Sequence, residues 1–334
     1  MTLTDQTGSV DATTPEQATS AVDLTDLPPA VEQFRWHLGS LLFGFFVASF
    51  FDQVALAPVA AAVDRTGRFA DNFVDRGLRS FGAEQLVLWG DDRTRDEFAD
   101  RLKYLHREVR GTGHGAFAGT RYSALDPTLW NWIAMSAMMG YLHSFTPCTG
   151  IELTPDEEEL AYALMLERFG VLQLPGKSYQ LPATLADARR WYDEVVAERV
   201  QPNSFLDEVT EGLTRLPLPT IGLPPVVRTV LTPIWMLVRP LAGHVVKVCS
   251  FSILHPGVRA ATTVRLGRRE QWEFRLYQRL LQAAWRHLPR RIILTPMAYH
   301  QYRRERLARS YRSMQLDSFA AECPASERRC PATP

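Results

Sequence analysis

The stretch "TPDEEELAYALMLERF", residues 154–169, has the strongest helix signal in the chain. Thr154 and Glu157 form a capping box, in which the side chain of each residue pairs with a free backbone amide of the other. Pro155 suits the first helical position because its backbone angle is already helical and it lacks an amide hydrogen. The pattern predicts a helix that continues through Phe169.

Helix signals recur on both sides of this stretch. Asp126 followed by Pro127 predicts another helix start, since aspartate accepts backbone hydrogen bonds there and proline follows it well. Residues 184–200 and 268–288 continue the helical periodicity. Sustained alternation with a period of two residues, which would indicate strands, is hard to find. The sequence therefore predicts an all-α protein.

The composition sets the domain limits and excludes some functions. Lys+Arg and Asp+Glu both number 37 in 334 residues, so no net charge attracts the chain to nucleic acid. Residues 1–28 are polar and predict a disordered tail, residues 29–317 predict one helical domain, and residues 318–334 predict a flexible tail. The first residues lack the basic start and apolar run of a signal peptide.

The cysteines indicate a reducing compartment. There are four of them, and no two have the spacing of a metal-binding or redox pair. We therefore expect a cytoplasmic protein, with membrane association as an option. The four are Cys148, Cys249, Cys323 and Cys330.

Two apolar stretches raise the question of a membrane. Residues 38–63 are the most apolar, but Asp52, Gln53 and Pro58 interrupt them before the ~20 uninterrupted residues that a spanning helix needs. They predict a buried helix, with peripheral docking on a membrane surface as an alternative. Residues 216–256 are apolar and rich in proline, and we expect a loop with short buried helices.

The stretch "RLKYLHREVRG", residues 101–111, predicts a helix with two stripes that ends at Gly111. The apolar stripe would enter the core, and the stripe with the histidine would border it. His106 could then point into an interior cavity, and Arg110 could supply charge to an anionic group beside it. The first stripe contains Phe98, Leu102, Leu105 and Val109, and the second contains Lys103, His106 and Arg110.

Other catalytic and metal motifs are absent from the sequence. "GTGHGA", residues 111–116, resembles a dinucleotide fingerprint, but a predicted helix precedes it where a strand is required. No histidine has the Glu-x-x-His or HExxH spacing of helical metal sites, and there is no G-x-S-x-G or phosphate loop. His114, His143 and Cys148 could share a metal only at an irregular spacing.

Several stretches together resemble the MpaB-type oxygenases, the DUF2236 family, which are distant relatives of the latex clearing proteins. The stretches are "LAPVAAAVDRTGRFADNFVDRGLRSFG" at 56–82, "RLKYLHREVRG" at 101–111, "GTRYSALDPTLWNWI" at 119–133 and "LTPDEEELAYALMLERFGVLQLPGKSYQLPATLADARRWYDEVV" at 153–196. These stretches occur in order along the chain, which makes the resemblance more specific than any single stretch would. The resemblance implies an all-α fold that binds a b-type haem. It also implies an oxygenase that uses dioxygen on a hydrophobic, isoprenoid- or lipid-like substrate, with oxidative cleavage of a C=C bond as the relatives' reaction.

The resemblance also implies roles for individual residues. His106 matches the histidine that binds the haem iron, and Arg110 matches an arginine that shapes the site. An upstream Arg-x-x-Lys-Thr corresponds here to Arg76, Arg79 and Ser80, and Lys103 lies one turn before the histidine. We expect these basic and hydroxyl groups to hold haem propionates or to contact oxygen. A guanidinium has no lone pair, so Arg79 cannot bind iron as a lysine can.

Two further positions depart from the family pattern. Family members often have His-Pro where this chain has Ala57-Pro58, and Trp-Val-His where it has Trp132, Ile133 and Ala134. Ala57 and Ala134 favour an alternative, a non-catalytic helical protein that binds lipid or membrane and has lost the oxygenase pocket. A third possibility is a haem-independent enzyme that uses the same cavity. The retained His106 and the matching Arg110 favour the haem-dependent oxygenase.

Overall fold

The architecture is helical throughout, in a computed structural model that describes residues 27–65, 69–176 and 180–316. This confirms the predicted all-α class. The predicted tails lie largely outside the described residues. The helices are α1 Pro29–His37, α2 Ala48–Ala55, α3 Ala57–Val63, α4 Phe69–Trp89, α5 Asp92–His106, α6 Pro127–Thr149, α7 Pro155–Phe169, α8 Leu185–Arg199, α9 Ser204–Gly212, α10 Pro225–Ile253, α11 Pro256–Ala260, α12 Arg268–His287, α13 Arg290–Ile293 and α14 Pro296–Leu316.

The expected helix starts are confirmed at atomic detail. Asp126 accepts hydrogen bonds from two backbone amides at the start of α6. Thr154 and Glu157 form both halves of the capping box at the start of α7, and α7 ends at Phe169. Thr184 caps α8. These ends were predictable because a cap is a contact between near neighbours in sequence.

Helix α6 forms the centre of the core. Most of its side chains are buried, and α2, α7, α8 and α12 pack against it. The apolar stretch 38–63 is mostly buried, as expected, but as a short 3-10 helix at Leu41–Phe45 followed by α2 and α3, and Leu41 and Phe45 are exposed. Its breaks arise because α2 ends at Ala55, and Pro58 occupies the first turn of α3.

The chain between α5 and α6 forms a small hairpin. Strands β1, Arg110–Thr112, and β2, Arg121–Ser123, pair in antiparallel register and enclose a 3-10 helix at Gly115–Phe117. Gly111 was predicted to cap α5, and this is wrong, since the helix ends at His106 and Gly111 lies in β1. The backbone pairing with β2, in which Gly111 is the partner of Tyr122, competes successfully with helix continuation.

The predicted loop and short helices within residues 216–256 are also not what forms. Residues 225–253 form one helix, α10, which contains Pro233 and Pro240 in its interior. Its second half is buried or half-buried, whereas its first half lies on the protein surface with its aliphatic side chains exposed. Among the described residues, α10 is the one helix whose length and apolar composition would allow it to cross a membrane.

Candidate functional site

A cavity of about 300 Å³ lies between α3, α4, α5 and α6. Its walls are mainly aliphatic and aromatic, with a few polar side chains that converge from different helices. A cavity of this size and composition is typical of small-molecule sites. The apolar wall includes Val59, Val87, Leu102, Leu129, Trp130 and Ile133.

His106 lines this cavity from the last position of α5. Its Nδ1 atom lies 2.8 Å from the carbonyl oxygen of Leu102. A carbonyl can only accept, so Nδ1 carries a hydrogen, and the tautomer with this hydrogen on Nδ1 has its lone pair on Nε2. The ring of Trp130 meets the imidazole edge-on at 5.5 Å between centroids and restricts its rotation. The histidine is therefore held in the tautomer that suits a metal ligand.

Helix α4 contributes a polar stripe to the same cavity. Arg76, Ser80 and Glu84 are spaced four residues apart, which places them on one side of the helix. Arg76 donates from Nη1 to the carbonyl oxygen of Val63 at 3.1 Å. Burial lowers the pKa of Arg76, and the positive charges of Arg65 and Arg79 add to this effect. Its guanidinium still carries its charge, because the ordinary arginine pKa lies far above neutrality.

Glu84 is a cavity residue that the sequence reasoning missed. The Tyr141 hydroxyl donates to its Oε2 atom at 3.0 Å. Burial raises the pKa of Glu84 to about 7, although this hydrogen bond opposes the increase. A carboxyl group with this pKa can both give and take a proton near neutral pH. The four-residue spacing from Ser80 was the only signal in the sequence, and such spacing is common on surface helices.

The structure brings together three of the predicted site residues and separates three others. His106, Arg76 and Ser80 all line the cavity. Lys103 does not line it, and its Nζ atom donates to the carbonyl oxygen of Val171 at 3.1 Å. Arg79 is exposed on α4.

The predicted helical stripe that joined Arg110 to His106 is wrong. Because α5 ends at His106, Arg110 lies in β1, where it is exposed and does not line the cavity. The predicted apolar face is also incomplete. Leu105 is 51% exposed, whereas Phe98, Leu102 and Val109 line the cavity.

Of the positions that depart from the resembled family, Ala134 lies at this cavity, whereas Ala57 does not line it. Pro58, Ile133 and Ala134 all contribute to its wall. Where a histidine would add a polar group, Ala134 presents a methyl group, so this part of the wall is apolar. Gln53 also lines the cavity, and its side-chain amide donates to the carbonyl oxygen of Ile133 at 3.4 Å.

A second buried acid lies outside the cavity wall. Asp52 accepts a hydrogen bond of 2.6 Å from the Tyr192 hydroxyl at Oδ2, while its buried Oδ1 has no partner. Burial raises the pKa of Asp52 to about 8, and the bond from Tyr192 opposes this. The side chain is therefore largely protonated at neutral pH.

Residues 33–283 match the model of a family described as "ER-bound oxygenase mpaB/B'/Rubber oxygenase, catalytic domain". This chain belongs to that family. The resemblance predicted from the sequence is thus confirmed, and the oxygenase is an enzyme, as expected. No curated protein and no solved structure matches the chain significantly.

The matched region of this oxygenase contains the whole cavity wall, from Gln53 to Leu172. An oxygenase of this family implies a metal or haem cofactor and a small-molecule substrate in general terms. Within the described ranges, no group of three or more histidine, cysteine, aspartate or glutamate side chains could hold a metal ion. A metal at this cavity would consequently need most of its ligands from elsewhere.

Proposed function

We propose that the protein is a haem-dependent oxygenase that acts on a hydrophobic, isoprenoid- or lipid-like substrate with dioxygen. Cleavage of a carbon-carbon double bond is the reaction that fits such a substrate and the family. The observation that carries the proposal is His106, a cavity-lining histidine whose hydrogen-bonded Nδ1 leaves the Nε2 lone pair available.

The ligand count supports haem over a metal held by side chains alone. A bare iron or zinc ion needs at least three protein ligands, whereas haem iron needs one axial histidine because the macrocycle supplies four nitrogens. The cavity offers one histidine, His106, and its second nitrogen already has the backbone partner that orients such ligands. When bound, b-type haem would supply the redox chemistry that activates dioxygen.

The polar side of the cavity suits the anionic edge of that group. Arg76 carries a positive charge inside a largely apolar wall, and Ser80 offers a hydroxyl one turn along α4. Both can donate hydrogen bonds to a propionate. Arg79, Arg110 and Lys103 do not line the cavity, so their proposed roles would require a wider site than the one described.

The remaining wall accounts for the substrate class. Its aliphatic and aromatic side chains exclude water and favour an apolar chain over a charged molecule. Glu84 can exchange a proton near neutral pH while it stays bound to the Tyr141 hydroxyl. Since Arg79 has no lone pair, it would not compete with dioxygen for iron.

Haem binding tests this proposal directly. We expect protein expressed with a haem supply to show a Soret band, and His106→Ala to lose at least about tenfold in haem content, since the residue that would bind the iron is removed. The matched control is His114→Ala, because His114 is exposed in the hairpin and does not line the cavity. Retention of the full Soret band by His106→Ala, or its absence from the wild type, would contradict the proposal.

A further inference from the structure

The first half of α10 presents its apolar face outward. The outward stripe consists of valine, leucine and isoleucine only, and Leu237 is 83% exposed. An ordinary surface helix has the opposite arrangement, with its apolar stripe against the core. The stripe contains Val226, Val227, Val230, Leu231, Ile234, Leu237, Val238 and Leu241.

Contacts on the opposite side of α10 hold this orientation. The Trp235 indole donates to the carbonyl oxygen of Leu216 at 2.8 Å, and Arg239 donates to that of Arg215 at 3.3 Å. Trp235 and Arg239 lie four residues apart and so share one face of the helix. The polar and aromatic anchors therefore face the protein, and rotation of the stripe inward would break both bonds.

We propose that this stripe docks on a lipid bilayer and inserts into one leaflet, with α10 parallel to the membrane surface. The eight stripe residues include no polar side chain, and the exposed Thr229 and Thr232 beside them donate their hydroxyls to backbone carbonyls of α10 itself. Protein interfaces, in contrast, mix polar groups into their apolar area. A hydrocarbon phase offers no hydrogen-bond partners, so a purely aliphatic face suits it. This proposal goes beyond the oxygenase activity and does not depend on the proposed cofactor.

The charge distribution supports an anionic bilayer as the partner. The whole chain has no formal net charge, yet residues 212–269 contain no aspartate or glutamate and eight basic side chains. Basic residues near a membrane surface are attracted to anionic lipid head groups. The eight are Arg215, Arg228, Arg239, Lys247, Arg259, Arg265, Arg268 and Arg269.

The length of the exposed segment argues for insertion over spanning. From Pro225 to Leu241 the helix rises about 25 Å at ~1.5 Å per residue, less than the ~30 Å of a hydrocarbon core. The helix then enters the protein. A β-carbon added at Gly243 would clash with the carbonyl oxygen of Leu213, and Val248 to Phe251 are buried.

The loop before α10 connects the surface to the cavity wall. Asp75 of α4 accepts hydrogen bonds from the backbone amides of Thr220 and Ile221 and from the Thr220 hydroxyl. The next residue of α4, Arg76, lines the cavity. A bilayer bound at the stripe would therefore lie next to the loop at Thr220 and Ile221, which is hydrogen-bonded to the helix that lines the cavity. This arrangement suits a substrate that is dissolved in lipid.

Vesicle flotation with the full-length protein tests this surface without haem or substrate. We expect binding to vesicles of phosphatidylcholine with about 30% phosphatidylglycerol, and weaker binding at about 1 M salt, where screening shortens to ~3 Å. Leu237→Glu should reduce the partition coefficient at least about tenfold, since it places a charge in hydrocarbon. Leu307→Glu is the matched control, because Leu307 is also exposed, at 54%, but lies on α14; it should change the coefficient less than about twofold.

Three results would overturn the proposal. The first is wild-type protein that does not bind these vesicles, and the second is Leu237→Glu that binds as the wild type does. The third is a wild-type dimer in light scattering that Leu237→Glu converts to a monomer, since the stripe would then bind a second copy. Far-UV circular dichroism checks that Leu237→Glu folds, as expected for a side chain that projects outward.

Discussion

Replacement of Glu84 by glutamine should stabilise the protein, and increasingly so as the pH rises. Glutamine keeps the shape of the side chain and can still accept the hydrogen bond from Tyr141, but it does not ionise. In the folded protein, burial raises the pKa of Glu84 from 4.5 to about 7. The carboxyl group therefore holds its proton more tightly in the folded state than in the unfolded state.

The sign and size of the effect follow from this difference in pKa. Below pH 4.5 Glu84 is protonated in both the folded and the unfolded state, and its ionisation does not lower the free energy of unfolding. As the pH rises from 4.5 to 7 the unfolded state ionises first, so the free energy of unfolding of the wild type falls. The full loss is about 3 kcal/mol at ~1.4 kcal/mol for each pH unit, and water in the cavity would reduce it. Glu84→Gln avoids the loss.

Urea unfolding at pH 5, 6, 7 and 8, followed by circular dichroism, measures this effect. The advantage of Glu84→Gln over the wild type should grow with pH toward about 3 kcal/mol at pH 8. Asp52 titrates in both proteins and cancels in the comparison. A difference that stays constant within about 0.5 kcal/mol across this range would refute the reasoning, since the extrapolation error is of that order.

Two further substitutions test the packing that positions the site. Gly243→Ala should destabilise the protein by about 1–3 kcal/mol in thermal or urea unfolding, because its β-carbon meets the backbone of Leu213, whereas Gly212→Ala has open space and should cost nothing. Tyr192→Phe should lower the free energy of unfolding by about 1–3 kcal/mol, because it removes the hydrogen bond from the Tyr192 hydroxyl to Asp52. The loss should be larger at pH 9 than at pH 6, because this hydroxyl favours the ionised form of Asp52, whose pKa is about 8. Equal losses at both pH values would contradict the latter.

Helix α5 illustrates how far the sequence could be read. Its periodicity correctly predicted a helix through His106, and the ordered resemblance correctly predicted the family. The same sequence periodicity extends to Arg110 and predicted that the helix would include it. The helix nevertheless ends at His106, because tertiary contacts of the following residues are more favourable than continued helix. Backbone pairing of β1 with β2 turned Arg110 away from the cavity, and nothing near it in sequence records that competition.

Helix α10 is the opposite case, since its prolines predicted breaks and a continuous helix formed. Proline removes one backbone hydrogen bond, but the bonds on either side remain. Which face of α10 points outward was also beyond the sequence, because the positions of Trp235 and Arg239 depend on their hydrogen bonds to the carbonyls of Leu216 and Arg215.

By itself, the sequence determined the all-α class, the helix starts at Asp126 and Thr154, and the family, because caps and ordered motifs are local and can be recognised without coordinates. The tertiary structure decided the site, because it alone placed the stripe of α4 in the same cavity as His106. The raised pKa of Glu84 has the same origin. The burial of a titratable group depends on all the helices that surround it, and a local sequence pattern does not record which helices these are.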